Sequence, residues 1–172
     1  MTTSARDANV AGRTLELYLV RHAHAGNSVR WDGPDDLRPL TVRGRSQAER
    51  LGLILAGVAL QPDLLLSSPK VRALQTAEIL ADAVKSTARV DERLGLGLSV
   101  GDLVSIIDEA GPIARLMLVG HDPDFSELAT DLVGAPISVR KGSLVRIDLA
   151  AGRISPGTGV LRWLIPPDAL GA

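Results

Sequence analysis

The sequence contains no cysteine, which excludes a disulfide framework and any thiolate metal site. Aromatic residues make up only 2 % of its 172 residues. The interior must therefore be built from Leu, Val, Ile and Ala, and no row of rings is available to stack the bases of a single strand. The formal net charge is −1. Without a basic field there is no long-range attraction for nucleic acid or anionic lipid, and any anion site must be local. No apolar run approaches the ~20 residues needed to cross a bilayer. Residues 1–13 are small and polar and lack the apolar centre of a signal peptide. The expectation is a cytoplasmic protein with a flexible tail over residues 1–13 and one domain over 14–172. It would be a monomer or weak dimer with no nucleic-acid or membrane partner.

What is present is 45 % hydrophobic residues, enough for an aliphatic core. Residues 15–20 read as a buried strand, ended abruptly by Arg21 and His22. A polar loop rich in turn formers spans 23–40, a length that in compact domains usually carries function. Thr41 then caps a helix to about Ala56, with Ala48, Leu51 and Leu55 at helical spacing and Arg43, Gln47 and Arg50 expected to face water. Residues 63–67 form a second apolar strand. Ser68-Pro69 follows, expected as N-cap and first residue of a helix to about Val84. A short strand over 88–91, a loose turn over 95–97 and a helix over 100–109 precede a third buried strand, 115–119. That strand ends in Gly120-His121, and Asp122-Pro123 repeats the cap-and-proline signal for a helix to about Val133. Residues 144–149 and 160–165 alternate and are separated by a Gly-rich turn, the signature of an antiparallel pair. The pattern predicts an α/β three-layer α/β/α sandwich, with a mostly parallel central sheet and a C-terminal antiparallel strand pair.

Three strand ends carry polar chemistry: Arg21-His22, Ser68 with Arg72 in the following helix, and His121. Parallel pairing would place all three at the carboxyl edge of one sheet, where α/β folds bind ligands. Two guanidinium groups, two imidazoles and helix N-termini converging there suit a dianion. Taken alone, Arg-His is a common dipeptide, Arg72 an ordinary exposed helix residue and His121 an ordinary capping histidine. Their arrival in order at strand ends is what favours function. Asp122 reads as a helix cap, His24 as an exposed loop histidine, and Trp31 either lines a groove or anchors its loop.

These motifs resemble the histidine phosphatase superfamily. The resemblance is carried by Arg21-His22-Ala23, by Leu40-Thr41 with Gly44 and Gln47-Ala48, by Ser68-Pro69 with Arg72 and Gln75-Thr76-Ala77, and by Gly120-His121 with Pro123. It covers roughly residues 15–149 and is most similar to the small SixA-type phosphohistidine phosphatases, which lack large insertions. It implies a phosphatase that needs no metal or other cofactor. His22 would be the nucleophile that becomes phosphorylated, with Arg21, Arg72 and His121 holding the phosphoryl oxygens. Asn27 and Ser28 stand where relatives place a polar phosphate contact, so that either or neither serves. Glu92 is the nearest candidate for a general acid. It lies one position before the place, held here by Arg93, where related sequences put the acidic residue; Glu92 substitutes, or the protein has no dedicated acid. The second case suits phosphohistidine on a signalling protein, because a phosphoramidate nitrogen leaves more readily than an alkoxide. The alternatives are a phosphomonoesterase for nucleotide or sugar phosphates and a non-catalytic phosphate-binding module.

Overall fold

A computed structural model describes residues 14–150 and 154–170. The expected tail over 1–13 and part of the Gly-rich turn lie outside the described residues. Six strands form one mixed sheet in the order β3-β2-β4-β1-β5-β6. They are β1 Thr14–Arg21, β2 Leu64–Ser67, β3 Ala88–Val90, β4 Arg115–Gly120, β5 Leu144–Ala150 and β6 Val160–Ile165. β1 to β4 run parallel, while β5 pairs antiparallel with β1 and with β6. Four α-helices are described: α1 Val42–Gly57, α2 Val71–Val84, α3 Val100–Ala110 and α4 Asp124–Val133.

The strands are apolar on both faces because both are covered. Successive side chains point to opposite sides. Leu17, Leu19, Leu116 and Leu118 therefore pack with Leu103 and Ile106 of α3 and Phe125, Leu128 and Leu132 of α4. Their neighbours Tyr18, Val20, Met117 and Val119 pack with Leu51 and Leu55 of α1 and Ala77, Leu80 and Val84 of α2. The three expected layers are thus present, with α1 and α2 on one face and α3 and α4 on the other.

Three local expectations are corrected. The Ser68-Pro69 pair does not open α2: the helix begins at Val71 after Lys70, and the Ser68 hydroxyl accepts the Lys70 N–H at 3.2 Å. The serine closes a local turn and the proline lies in it, which leaves the end of β2 free to turn before the helix. Likewise α4 begins at Asp124 with Pro123 at its N-cap. Asp122 is not the cap: its carboxylate accepts from Ser126 Oγ at 2.5 Å and faces Arg21 at 3.4 Å. The Asp122-Pro123 peptide is cis. Gln47 is buried rather than solvated, because its carbonyl accepts the His24 N–H at 3.0 Å.

Gly44 shows why this helix start is specific. A Cβ there would lie 2.0 Å from the His24 carbonyl oxygen. That oxygen also accepts the Thr41 N–H at 3.0 Å. Helix propensity alone predicts that Gly44→Ala stabilises the protein by up to about 1 kcal/mol. The close approach reverses the sign, and overpacking against backbone costs about 1–3 kcal/mol. The expected result in a thermal melt is a Tm lower by roughly 2–8 °C; an unchanged or raised Tm would contradict the close approach.

Candidate active site

The site is built by strand register. In the ladder Arg21 stands opposite Gly120 and Ser67 opposite Val119. The ladders continue for one more bond each, His22 N–H to Gly120 O at 3.0 Å and Ser68 N–H to Val119 O at 2.9 Å. Three chain segments therefore leave the sheet side by side at its carboxyl edge. Gly120 fits this crowded end because a Cβ would lie 2.8 Å from the Phe125 ring; the ring packs under the strand end that delivers His121.

The His22 and His121 rings lie 5.1 Å apart between centroids, and both residues are buried. His22 Nδ1 is 2.8 Å from the Ala23 carbonyl oxygen. A carbonyl only accepts, so Nδ1 carries the proton and Nε2 has the free lone pair in the neutral ring. Burial first, then the charges of His121, Arg72 and Arg21, pulls the His22 pKa down to about 3, against the opposing bond to Ala23. His121 is likewise pulled down to about 3 by burial and by Arg72, Lys70 and Arg21. Both rings are neutral at physiological pH. His121 Nε2 is 2.8 Å from Ser68 Oγ.

The two arginines differ in their ties. Arg21 Nη1 donates to Val139 O at 2.8 Å. Arg72 donates to Asp35 O at 2.7 Å and pairs with the Asp35 carboxylate at 3.0 Å. The Nε–H groups of both are buried and have no hydrogen-bond partner. Buried guanidinium donors without partners are costly, and an oxyanion would satisfy them.

The loop after β1 is pinned by side chains from α1 and α2. Ala23 N–H donates to Thr76 Oγ1 at 3.2 Å, and Leu40 N–H to Gln75 Oε1 at 2.9 Å. Gln75, Thr76 and Gln47 thus hold the loop after β1 through its backbone. Within the loop, Asn27 Oδ1 accepts the Val29 N–H at 2.8 Å, and both Asn27 and Ser28 are exposed. Trp31 donates from Nε1 to Pro34 O at 3.1 Å, which anchors a turn. His24 is half-buried, with Nδ1 2.8 Å from Thr41 Oγ1. Glu92 is exposed in the short turn Glu92–Leu94, and it has no hydrogen bond or ion pair with Arg21, His22, Arg72 or His121.

Sequence reasoning passed over Asp35, Asp36, Arg38 and Lys70. Asp35 pairs with Arg38 at 2.9 Å as well as with Arg72, and Asp36 with Lys70 at 3.2 Å. Hydrogen bonding to Arg38, then the Arg72 and Arg38 charges, holds the Asp35 carboxyl below the usual carboxylate range. The signal available was two acids between Pro34 and Pro39 in an otherwise polar loop. Its partner Arg72 lies 37 residues away.

A cationic cluster with neutral imidazoles, at the carboxyl edge of the parallel strands of an α/β protein, is chemically suited to a tetrahedral oxyanion. The family model described as histidine phosphatase superfamily (branch 1) matches residues 17–95. The chain is 32 % identical over 166 residues to an uncharacterised protein of Picosynechococcus sp., covering 88 % of this chain and all of the relative. It is 24 % identical over 161 residues to the phosphohistidine phosphatase SixA of Escherichia coli, covering 89 % of this chain and 94 % of that protein. The solved structure of the protein histidine phosphatase SixA complexed with tungstate superposes with a TM-score of 0.76 at 24 % identity, covering 91 % of this chain and 99 % of that one. The chain belongs to the histidine phosphatase superfamily, and it is a phosphatase-class hydrolase with a phosphate-bearing substrate. Among the described residues no helix is long and apolar enough to cross a membrane.

Proposed function

We propose that this protein is a metal-independent phosphatase that works through phosphorylated His22 and prefers phosphohistidine on a signalling protein. The observation that carries the reading is the state of His22: neutral, with Nδ1–H held by the Ala23 carbonyl, the Nε2 lone pair left free, and the ring subject to the charges of His121, Arg72 and Arg21. In the first step Nε2 attacks phosphorus as the bond to the leaving nitrogen breaks, and that nitrogen departs with a proton. In the second step water attacks the phosphorus of phospho-His22. The N–P bond breaks, its electron pair returns to Nε2, and inorganic phosphate leaves. Arg21, Arg72 and His121 hold the three non-bridging oxygens in both steps. Ser68 supports His121: its Oγ lies 2.8 Å from Nε2, and in the tautomer this mechanism uses the hydroxyl donates to Nε2. The imidazole then offers Nδ1–H to the phosphoryl group.

Two observations support a phosphoramidate over an alkyl ester. Asp35 faces the Arg38 and Arg72 guanidinium groups, which hold its carboxyl below the usual range and disfavour a stored proton, and Asp122 is engaged by Ser126 and Arg21. Glu92 stands apart. An alkoxide needs a proton from such a group, and general acid catalysis is worth about 10²–10⁴-fold. A phosphoramidate nitrogen is basic enough to take its proton from solvent. The sequence likeness to the E. coli phosphohistidine phosphatase points the same way.

The test compares phosphohistidine with an alkyl phosphate such as phosphoserine. The expected kcat/KM is at least about 10²-fold higher for phosphohistidine, and Glu92→Gln changes it by less than about threefold. An equal or faster alkyl ester assigns the protein to phosphomonoesters. A hundredfold loss in Glu92→Gln would make Glu92 the acid. Phosphate binding without release from either compound would leave a binding module.

A further inference from the structure

A cationic cleft of about 310 Å³ adjoins the site, and Arg21 lines it. Its other walls include Lys141, Arg43, Arg140, His24 and Gln47. Arg140 is neutralised by Asp168 at 2.8 Å. Among the described residues neither Lys141 nor Arg43 has an ion pair. Lys141 is half-buried, and burial together with the charges of Arg21, Arg38 and Arg72 pulls its ammonium below the ordinary lysine range. Arg43 lies in the first turn of α1, which contains no acidic residue. A cation there opposes the helix dipole. Gln47 has committed its carbonyl to His24 N–H, which leaves the amide NH2 as its polar group for the cleft. Lys141, Arg43 and the Gln47 amide therefore gather in one cleft where the two cations repel each other, while the Asp168 carboxylate in its wall is paired with Arg140.

Both cations are tied to the backbone that carries the nucleophile. The Gly142 N–H, next to Lys141, bonds to the carbonyl oxygens of both Arg21 and His22 at 3.1 Å. Gly44, next to Arg43, lies against the His24 carbonyl. The cleft is thus held at a set distance from the phosphoryl seat, as a recognition subsite requires. A stretch of solvated surface charge would have no such anchoring.

We propose that this cleft is a second anion subsite, which takes a phosphate or carboxylate group carried by the leaving group of the substrate. The assignment rests on the phosphatase reading above, with the transferable phosphoryl group on Arg21, Arg72 and the imidazoles. A substrate with its second negative group on the side of Lys141 and Arg43 is then bound at two points. The chemistry is met by an acidic residue beside a phosphohistidine or by the second phosphate of a small bisphosphate.

The experiment uses the whole chain and two probes that cannot be hydrolysed, methylphosphonate and methylenediphosphonate, in calorimetric titrations. The wild type is expected to bind the diphosphonate at least about tenfold more tightly, and Lys141→Gln and Arg43→Gln each to cut that advantage about fivefold. Equal affinities in the wild type, or an advantage that survives both substitutions, would overturn the subsite. Either variant decides the matter if the other fails to melt like the wild type. Turnover identifies the source of the anion. A preference for Asp-flanked over Ala-flanked phosphohistidine peptides assigns it to a protein, and a preference confined to small bisphosphates assigns it to a free metabolite. A wild type that turns over none of these compounds, yet loses the diphosphonate advantage in the variants, refutes the phosphatase mechanism and leaves the subsite standing.

Discussion

His22→Ala is expected to lose at least about 10⁴-fold in kcat and to yield no trapped phosphoenzyme. On the proposed covalent route the substitution removes the only atom that forms the new bond to phosphorus, leaving what the two arginines achieve by binding alone. In the wild type, rapid acid-free quenching during turnover should reveal one phosphoryl group, labile to acid and stable to base, on residue 22. A phosphoryl group on His121 instead would reverse the two roles. The same environment predicts a pH signature. With a pKa of about 3 in place of the ordinary 6.5, the His22 ring shows no NMR titration between pH 8 and 5. The sign for stability follows. Between about pH 6.5 and 3 the unfolded chain binds protons at His22 and His121 and the folded chain does not, so stability falls as pH is lowered through that window. A ring that titrates near 6.5 in the folded protein would contradict the desolvated, cation-flanked site.

Arg72→Ala is expected to lower kcat/KM by roughly 10²–10³-fold, because it removes a planar fork that binds the phosphoryl dianion and aligns it for in-line attack. Arg72→Lys keeps the charge but loses the planar fork, and should recover no more than a small part of the loss. Asp35→Asn separates binding from positioning. In the free protein Asp35 engages Arg72 through both its carbonyl and its carboxylate. Removing its charge frees the guanidinium for an incoming dianion, so KM falls while kcat changes little. If Arg72→Ala lost less than tenfold, the residue would be a tie for the 35–37 turn and not a phosphoryl ligand.

Much of this arrangement was legible because it is local. The apolar runs that became β1, β2 and β4 each end in a polar residue that cannot continue into the core. Parallel pairing then brings Arg21, Ser68 and His121 to one edge. Helix α1 was readable from Thr41, whose hydroxyl accepts the Gly44 N–H at 3.1 Å. The helix starts after Ser68 and Asp122 differ from expectation because serine or aspartate before proline also describes a turn, and residue order does not say whether the hydroxyl or carboxylate meets a helix or another partner. Gln47 was assigned to water because its polar head hides the buried bond to His24 N–H. Asn27 is placed by motif spacing, and its Oδ1 accepts the Val29 N–H, a partner that spacing does not report.

Residue order by itself determined the layers, the strand ends and the set of four cationic and imidazole groups, since periodicity and turn chemistry act over a few residues. Only the tertiary structure decided their chemical state. Desolvation makes His22 neutral, and the Ala23 carbonyl selects its tautomer. Asp35 reaches Arg72 across 37 residues, and the Val139 carbonyl reaches Arg21 across 118. Burial and Coulomb interactions depend on distance in space rather than distance along the chain. For the same reason Lys141 and Arg43, about a hundred residues apart in sequence, come to line one cleft.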